Sequence, residues 1–453
     1  VTKHPFLQRE INKYFLMQQQ RRFIQVKSNR FLIIMVALLA FSLTGKGQEF
    51  SSPEWLRPNK DLKFKPVFNL QLWSTYTYNI KHFDAASDQY VDASNRLNFL
   101  IRRTRAGFQM EPYDRLKLRF VAALDMVGRD LNSGFNGGSN NGSFPNPGLW
   151  DAYLQYQVFP EYEGMYVTFG YFVPSVGLAS ISSAFQFTSL SKSFSQAYIR
   201  QHLVGRNPGR TSGMTIGGLL GTEGDTGGFQ YELGVHNSIF PSDGGNTSDR
   251  LSSPLLTGRL QWFIGERSYD NYRRNAPLND FEQRRGLTLA FAGSYQGATD
   301  IFEQAYSFGT DIIANYGNWH LYGEWYGLWR TGSDFTYLSQ TGFISVGRNF
   351  TLSEKYVLEP AFLVKRFLGA HDLIGQAQAA SVGAFAGSDA SIDFGLNWYL
   401  NQHKLKIALH HTWETGDMGE AAPGATFNQF YYQKGLGAIQ RGHWWGLGVN
   451  FVL

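Results

Sequence analysis

The sequence predicts an all-β fold, a transmembrane antiparallel β-barrel of about sixteen strands with an inward-folded constriction loop. Three observations lead there. A secretory leader stands near the start, segments of about ten residues with alternating apolar and polar positions recur to the end, and short turns alternate with long polar loops between them.

The leader comes first. Arg21, Arg22, Lys27 and Arg30 precede the apolar run Phe31-Leu-Ile-Ile-Met-Val-Ala-Leu-Leu-Ala-Phe-Ser-Leu43, and small residues follow in Thr44-Gly-Lys-Gly47. Basic, apolar, then small is the order of an export signal. The run is shorter than the roughly 20 residues of a spanning helix. Residues 1–47 are therefore expected to be an N-terminal extension and cleaved signal peptide, 48–65 a short periplasmic segment, and 66–453 the barrel, in the outer membrane of a Gram-negative cell.

The leader also carries the charge. The whole chain has a formal net charge of +5, but residues 1–47 hold eight Lys and Arg and one acid, Glu10. The remaining 406 residues carry 33 bases and 35 acids, a net of −2. Global charge thus gives no reason to expect nucleic acid as a partner, and any preference for anions must come from where the charges sit. With no cysteine in 453 residues, disulfides and thiolate metal sites are excluded. Aromatic content of 16% and 49 glycines suit strands better than helices.

Alternation with period 2 places successive side chains on opposite faces of a strand. Leu116, Leu118, Phe120, Ala122, Leu124 and Met126 alternate with Arg115, Lys117, Arg119, Val121, Ala123 and Asp125. Trp150, Ala152, Leu154 and Tyr156 alternate with Asp151, Tyr153, Gln155 and Gln157; Phe229, Tyr231, Leu233 and Val235 with Gln230, Glu232 and His236. Ile392, Phe394, Leu396 and Trp398 oppose Asp393, Gly395, Asn397 and Tyr399. The expected strand cores are 67–79, 97–110, 115–127, 149–159, 165–173, 212–221, 228–237, 255–265, 286–296, 305–316, 319–330, 336–347, 355–366, 390–400, 403–413 and 443–453. In the second, register breaks around Leu100 to Arg103, where a bulge is expected.

Connections such as 111–114, 160–164 and Gly317-Asn318 are turn-like, whereas 128–148 and 414–442 are long and polar, the asymmetry of periplasmic turns and outer loops. One apolar face per strand, with Tyr76, Tyr78, Trp150, Trp319, Trp329, Trp398 and Trp413 near strand ends, fits a lipid-facing band with aromatic girdles. A soluble sandwich would carry near-continuous apolar runs, and a propeller would repeat every 40–50 residues or so. The final alternation, Trp445 to Leu453, resembles the C-terminal signal of outer-membrane barrels, although such signals most often end in an aromatic residue.

Two stretches carry candidate chemistry. Arg103 and Arg105 share a face of the second strand, and Arg115, Lys117 and Arg119 share the polar face of the third, so a column of cations is expected inside the wall. Arg259 is a further lumen candidate on the eighth. Such ladders suit anions, because guanidinium replaces hydration with bidentate contacts. The alternative is that these bases pair with lumen acids such as Asp125, Asp151, Glu232, Glu324 and Glu359. The second stretch is the connection 174–210. Its middle, Ile181 to Phe194, is too apolar for a solvated loop, and Lys192, Arg200, Arg206 and Arg210 follow within or after it. Inward folding would account for both; packing against a neighbouring barrel is the alternative.

The chain resembles the phosphate-selective porins of the O/P type in their Bacteroidota form. The likeness rests on Leu100-Ile-Arg-Arg-Thr-Arg-Ala-Gly-Phe108 with its hairpin and basic third strand, on Phe169-Gly-Tyr-Phe-Val-Pro174, and on Val204-Gly-Arg-Asn-Pro-Gly-Arg210. Gly395-Leu-Asn-Trp-Tyr399 and His403-Lys-Leu-Lys406 match the penultimate hairpin. The resemblance implies a sixteen-stranded, trimeric diffusion channel with an inward loop, selective in some members for anions or phosphate through lumen Arg and Lys.

No catalytic site, metal or cofactor is expected. His410 and His411 are adjacent on a strand, so their rings face opposite ways. Ser195 and His202 share a loop without an aligned third partner. The Asn/Gly tract 132–146 lacks the acidic spacing of a calcium site. The function expected is a water-filled pore for small anionic solutes, phosphate among them, in outer-membrane lipid; the alternative is a non-transport barrel acting as an adhesin or as part of a larger complex.

Overall fold

The computed structural model describes residues 58–453 except 135–146, 206–207, 222–225, 238–250, 282, 354–355, 424–427, 429–430 and 434. The expected leader, most of the Asn/Gly tract and Arg206 lie outside the described residues. Sixteen long strands form one sheet. They are β1 (Pro58–Tyr78), β2 (Arg96–Tyr113), β3 (Leu116–Val127), β4 (Gly148–Gln157), β5 (Tyr166–Phe172), β6 (Thr211–Leu220), β7 (Phe229–His236) and β8 (Leu255–Gly265). The second half comprises β9 (Arg285–Gln296), β10 (Gln304–Tyr316), β11 (Trp319–Thr331), β12 (Thr336–Arg348), β13 (Val357–Leu368), β14 (Ser388–Asn401), β15 (Leu405–Asp417) and β16 (His443–Val452). Each neighbouring pair is antiparallel, and β1 pairs with both β2 and β16, so the sheet closes. All sixteen expected cores coincide with these strands. Residues 58–65, expected as part of a short periplasmic segment over 48–65, belong to β1, which pairs with β2 regularly from Lys63↔Glu111 and, beyond an irregularity, at Pro58↔Tyr113.

Closure follows from the solvent. Hydrocarbon offers no hydrogen bonds, so every exposed backbone group must find a partner strand. The side chains divide as the alternation requires. On β7, Phe229, Leu233 and Val235 are exposed, whereas Gln230, Glu232 and His236 are buried in the interior. Tyr76, Trp319, Trp398 and Trp413 stay on the outer surface, as girdle residues should. His410 points inward to Asp393 and Asn397, while His411 faces out against Trp413 and Trp445.

Three irregularities lie side by side and redirect side chains. On β2 the register slips between Ile101 and Arg103, so Arg102 turns inward beside Arg103. On β3, Met126 has φ 64 and is fully buried, not on the lipid face where alternation placed it. On β4 the register slips between Leu149 and Asp151, and Trp150, expected in a girdle, enters the lumen. An extra residue in one strand reverses the facing of whatever occupies it.

The connection 173–210 between β5 and β6 folds into the barrel and carries α1 (Leu178–Ile181) and α2 (Ser195–Val204). A third helix, α3 (Leu373–Ser381), lies between β13 and β14, and a small sheet of residues 81–84, 89–92, 432–433 and 437–440 sits at the loop end. If Leu233 faces lipid, Leu233→Arg is expected to cost about 2–4 kcal/mol near mid-membrane. Urea titration of folding into liposomes measures it, and an unchanged midpoint would place that face elsewhere.

Candidate functional site: a basic lumen behind an anchored loop

A loop inside a barrel must satisfy its own polar backbone there. Part of connection 173–210 does so as helix: α2 ends on Gly205, whose φ of 69 suits a left-handed cap and whose N–H reaches the Gln201 carbonyl. Inward side chains of the wall satisfy the rest. Glu324 accepts the Ala179 N–H at 3.1 Å and the Ser195 hydroxyl at 2.5 Å, while Tyr322 and Asn397 bind the Thr188 N–H and carbonyl. Lys406 donates to the Phe187 carbonyl at 2.7 Å.

Apolar contacts complete the anchoring, and they correct the expectation of a uniformly polar lumen face. Phe194, Tyr198, Ile199 and Leu203 pack on inward Leu255, Tyr326, Leu328 and Phe367, with the Tyr198 and Phe367 rings stacked at 3.8 Å. Leu178 and Phe187 pack on Tyr322, Phe343 and Leu363, and Leu190 on Trp73, Leu100, Met126 and Trp444. The inward fold of the apolar connection is thereby explained. Ser195 and His202 take separate partners, Glu324 and the Tyr306 carbonyl.

What the loop leaves open is a cavity of about 700 Å³, bordered by the loop, the inner faces of β1 to β5, residues 271–275, and Lys365, Glu414 and Arg441. Its described lining holds thirteen Lys and Arg against three carboxylates, Asp125, Asp151 and Glu414. Arg103, Arg105, Lys117, Arg119, Lys192, Arg200 and Arg210 are all there, brought together from two strands and the loop. Arg102, expected on the opposite face, joins them through the bulge.

Both readings of the lumen charges apply, to different bases. Arg105 pairs with Asp125 at 2.5 Å, and Arg210 and Arg119 share Asp151 at 3.1 and 3.4 Å. The guanidinium groups of Arg105 and Arg210 both lie over the Trp150 ring, at 3.6 and 3.4 Å from its centroid. Arg103 instead donates to Gln71 at 2.6 Å, Lys192 to the Ser182 carbonyl at 2.6 Å and Arg200 to the Ser180 carbonyl at 2.5 Å. Those three acceptors are neutral and orient the cations without cancelling their charge. In the loop, burial and then the neighbouring Arg200, Arg103 and Arg210 push the Lys192 ammonium well below the ordinary lysine range.

Two candidates fall outside the cavity lining. Arg115 sits in the β2–β3 turn with φ 65 and donates to the Val158 carbonyl at 3.2 Å. Its backbone departs from strand geometry, so the alternation that placed it beside Lys117 fails there. Arg259 makes two bonds of 2.7 Å to Asp311, both buried in the wall. Sequence reasoning missed Lys65, Arg273, Arg274, Lys365 and Arg441, which also line the cavity.

The family model for phosphate-selective porin O and P matches residues 75–327. Among solved structures, Pseudomonas putida OprB superposes with a TM-score of 0.54 at 8% identity, covering 86% of this chain and 94% of that one. The anion-selective porin from Comamonas acidovorans gives 0.51 at 12% identity, over 87% and 100%. The outer membrane channel DcaP of Acinetobacter baumannii gives 0.50 at 12%, over 87% and 99%. At such identities these likenesses establish the fold alone. No curated protein matches the chain.

A buried charge left without its partner costs about 3–5 kcal/mol. Arg259→Leu is therefore expected to lower the unfolding midpoint of the detergent-solubilised barrel while leaving its ion selectivity unchanged. A selectivity change without a stability loss would return Arg259 to the solute path.

Proposed function

Since the chain belongs to the phosphate-selective porin O and P family, we propose that this outer-membrane diffusion channel favours small anions, phosphate among them. One observation carries the reading: thirteen bases against three carboxylates line the cavity, in a chain whose residues 48–453 have a net charge of −2. Positive charge is concentrated where a solute would pass. Low-dielectric walls strengthen that field relative to water, which raises the local anion concentration and penalises cations.

The arrangement also suits passage as opposed to capture. A solute must bind well enough to enter and weakly enough to leave. Arg103, Lys192 and Arg200 are held by neutral acceptors, while Asp125 and Asp151 compete with any anion for Arg105, Arg119 and Arg210. Guanidinium offers a phosphate two parallel donors. A homotrimer, which the family resemblance implies, is the proposed assembly; its mass in detergent would decide.

The experiment is a reversal potential across a planar bilayer in a KCl gradient. Anion preference is expected in the wild type and a smaller preference in Arg103→Gln with Arg200→Gln; cation preference, or no channel, overturns the reading. Inorganic phosphate is expected to reduce the chloride current of the wild type more than that of the double variant.

A pH dependence follows from Lys192. Its depressed pKa means the charge is present at low pH and is lost, as pH rises, before an ordinary lysine would titrate. Anion preference should therefore decline on the alkaline side, and Lys192→Gln should flatten that decline. An identical profile in the variant would assign the titration to another group.

A further inference from the structure

The short-turn end of the barrel carries one connection that is not short. Between β8 and β9, where its neighbours span a few residues, 266–281 folds into the lumen, with Tyr269, Tyr272, Ala276, Leu278 and Asn279 buried. By the rule that places short turns in the periplasm, this segment enters from the end opposite to the 173–210 loop.

Three attachments hold it. At the first, the Tyr272 N–H donates to Glu163 at 2.8 Å, and its ring stacks on Tyr166 at 4.9 Å. At the second, the Tyr272 hydroxyl and Arg274 donate to Glu232 at 2.7 and 3.1 Å; the same carboxylate accepts the Ser175 hydroxyl of the outer loop at 2.6 Å. At the third, Asn279 donates to Glu359 at 3.0 Å, with its carbonyl 2.9 Å from the His403 ring nitrogen. Ala276 and Leu278 also share one apolar cluster with Leu178, Ala179 and Phe187 of the outer loop. The two inward segments therefore meet inside the barrel, through Glu232 and through that cluster.

Alternating with the first two attachments, the chain presents polar residues to open space. Asn271, Arg273 and Asn275 are exposed, and all three line the basic cavity. Arg273 rests over the Tyr269 ring at 4.8 Å, which orients its guanidinium without neutralising it. Lys117 and Arg119, on the facing wall, line the same space.

We propose that residues 266–281 are a second constriction of the channel, built from the periplasmic side, and that Arg273 is its solute-contacting, specificity-determining residue. A permeating anion then leaves the outer loop's cations for Arg273, Lys117 and Arg119 before reaching the periplasm. The role given to Arg273 rests on the anion-channel reading; the constriction does not.

Two variants test this in planar bilayers. In the first, 267–283 is replaced by a short glycine linker, which the pairing of Gly265 with Gly286 allows. The second is Arg273→Gln, a change at an exposed residue. Heat-modifiable migration establishes that each is folded. The linker variant is expected to raise single-channel conductance by about twofold or more, and Arg273→Gln to lower the anion-to-cation permeability ratio by about twofold. Wild-type conductance in the folded linker variant overturns the constriction. A wild-type ratio in Arg273→Gln, with the wild type itself anion-selective, overturns the role of Arg273. A cation-selective wild type instead overturns the anion reading and the role of Arg273 with it, and the linker variant still decides on the constriction.

Discussion

No backbone group facing hydrocarbon can be left without a hydrogen bond, and the pairing of β1 with β16 is what meets that condition. An open sheet of sixteen strands would expose two unsatisfied edges to lipid. Closure removes both, and it fixes the inside of the barrel as the only place where irregular chain can run at membrane depth. The loop 173–210, the segment 266–281 and the bulges on β2, β3 and β4 all depend on that allowance. Each would be untenable against lipid and is tolerable against the lumen.

Closure at sixteen strands also encloses more space than wall side chains fill. The chain uses two of its own connections to fill it, and their contacts divide the lumen. Around β10 to β14 the wall presents Tyr322, Tyr326, Phe343, Leu363 and Phe367, which hold the outer loop through packing and through hydroxyl and carboxylate acceptors for its backbone. Around β1 to β5 the wall presents arginine and lysine with Asp125 and Asp151, and these border the open cavity. Anchoring on one side is thus what leaves open space and charge on the other. A uniformly polar interior would give the loop no seat.

This division explains how far the sequence could be read. Strand positions were legible because one face must be apolar for lipid, so period 2 recurs along the sixteen segments apart from the local irregularities on β2, β3 and β4. The inward loop was legible from Ile181 to Phe194, too apolar for water. The lumen face was harder, since no solvent enforces a pattern there. Arg102 and Trp150 stand on the wrong parity for their neighbours, and only a register slip of one residue turns them inward. The second segment also has a signal in the sequence: the expected cores 255–265 and 286–296 leave twenty residues between them at the short-turn end, with Tyr269, Tyr272 and Leu278 among them. The pairing of Arg259 was not legible, because charge on an inward face does not reveal whether its partner lies on a strand distant in sequence. Asp311 is such a partner, 52 residues away.

The same uncertainty of partner is what tunes a channel of this kind. A lumen arginine bound to a carboxylate positions a wall but contributes little net field. One bound to glutamine or a backbone carbonyl is held as firmly, yet keeps its whole charge. Arg105 and Arg103, two residues apart on β2, fall on opposite sides of that line, one on Asp125 and the other on Gln71. Exchanging Gln71 for an acid would leave the geometry of Arg103 nearly intact while cancelling its charge. Selectivity can therefore change through the neutral residues that hold the cations, with every arginine of the column still in place.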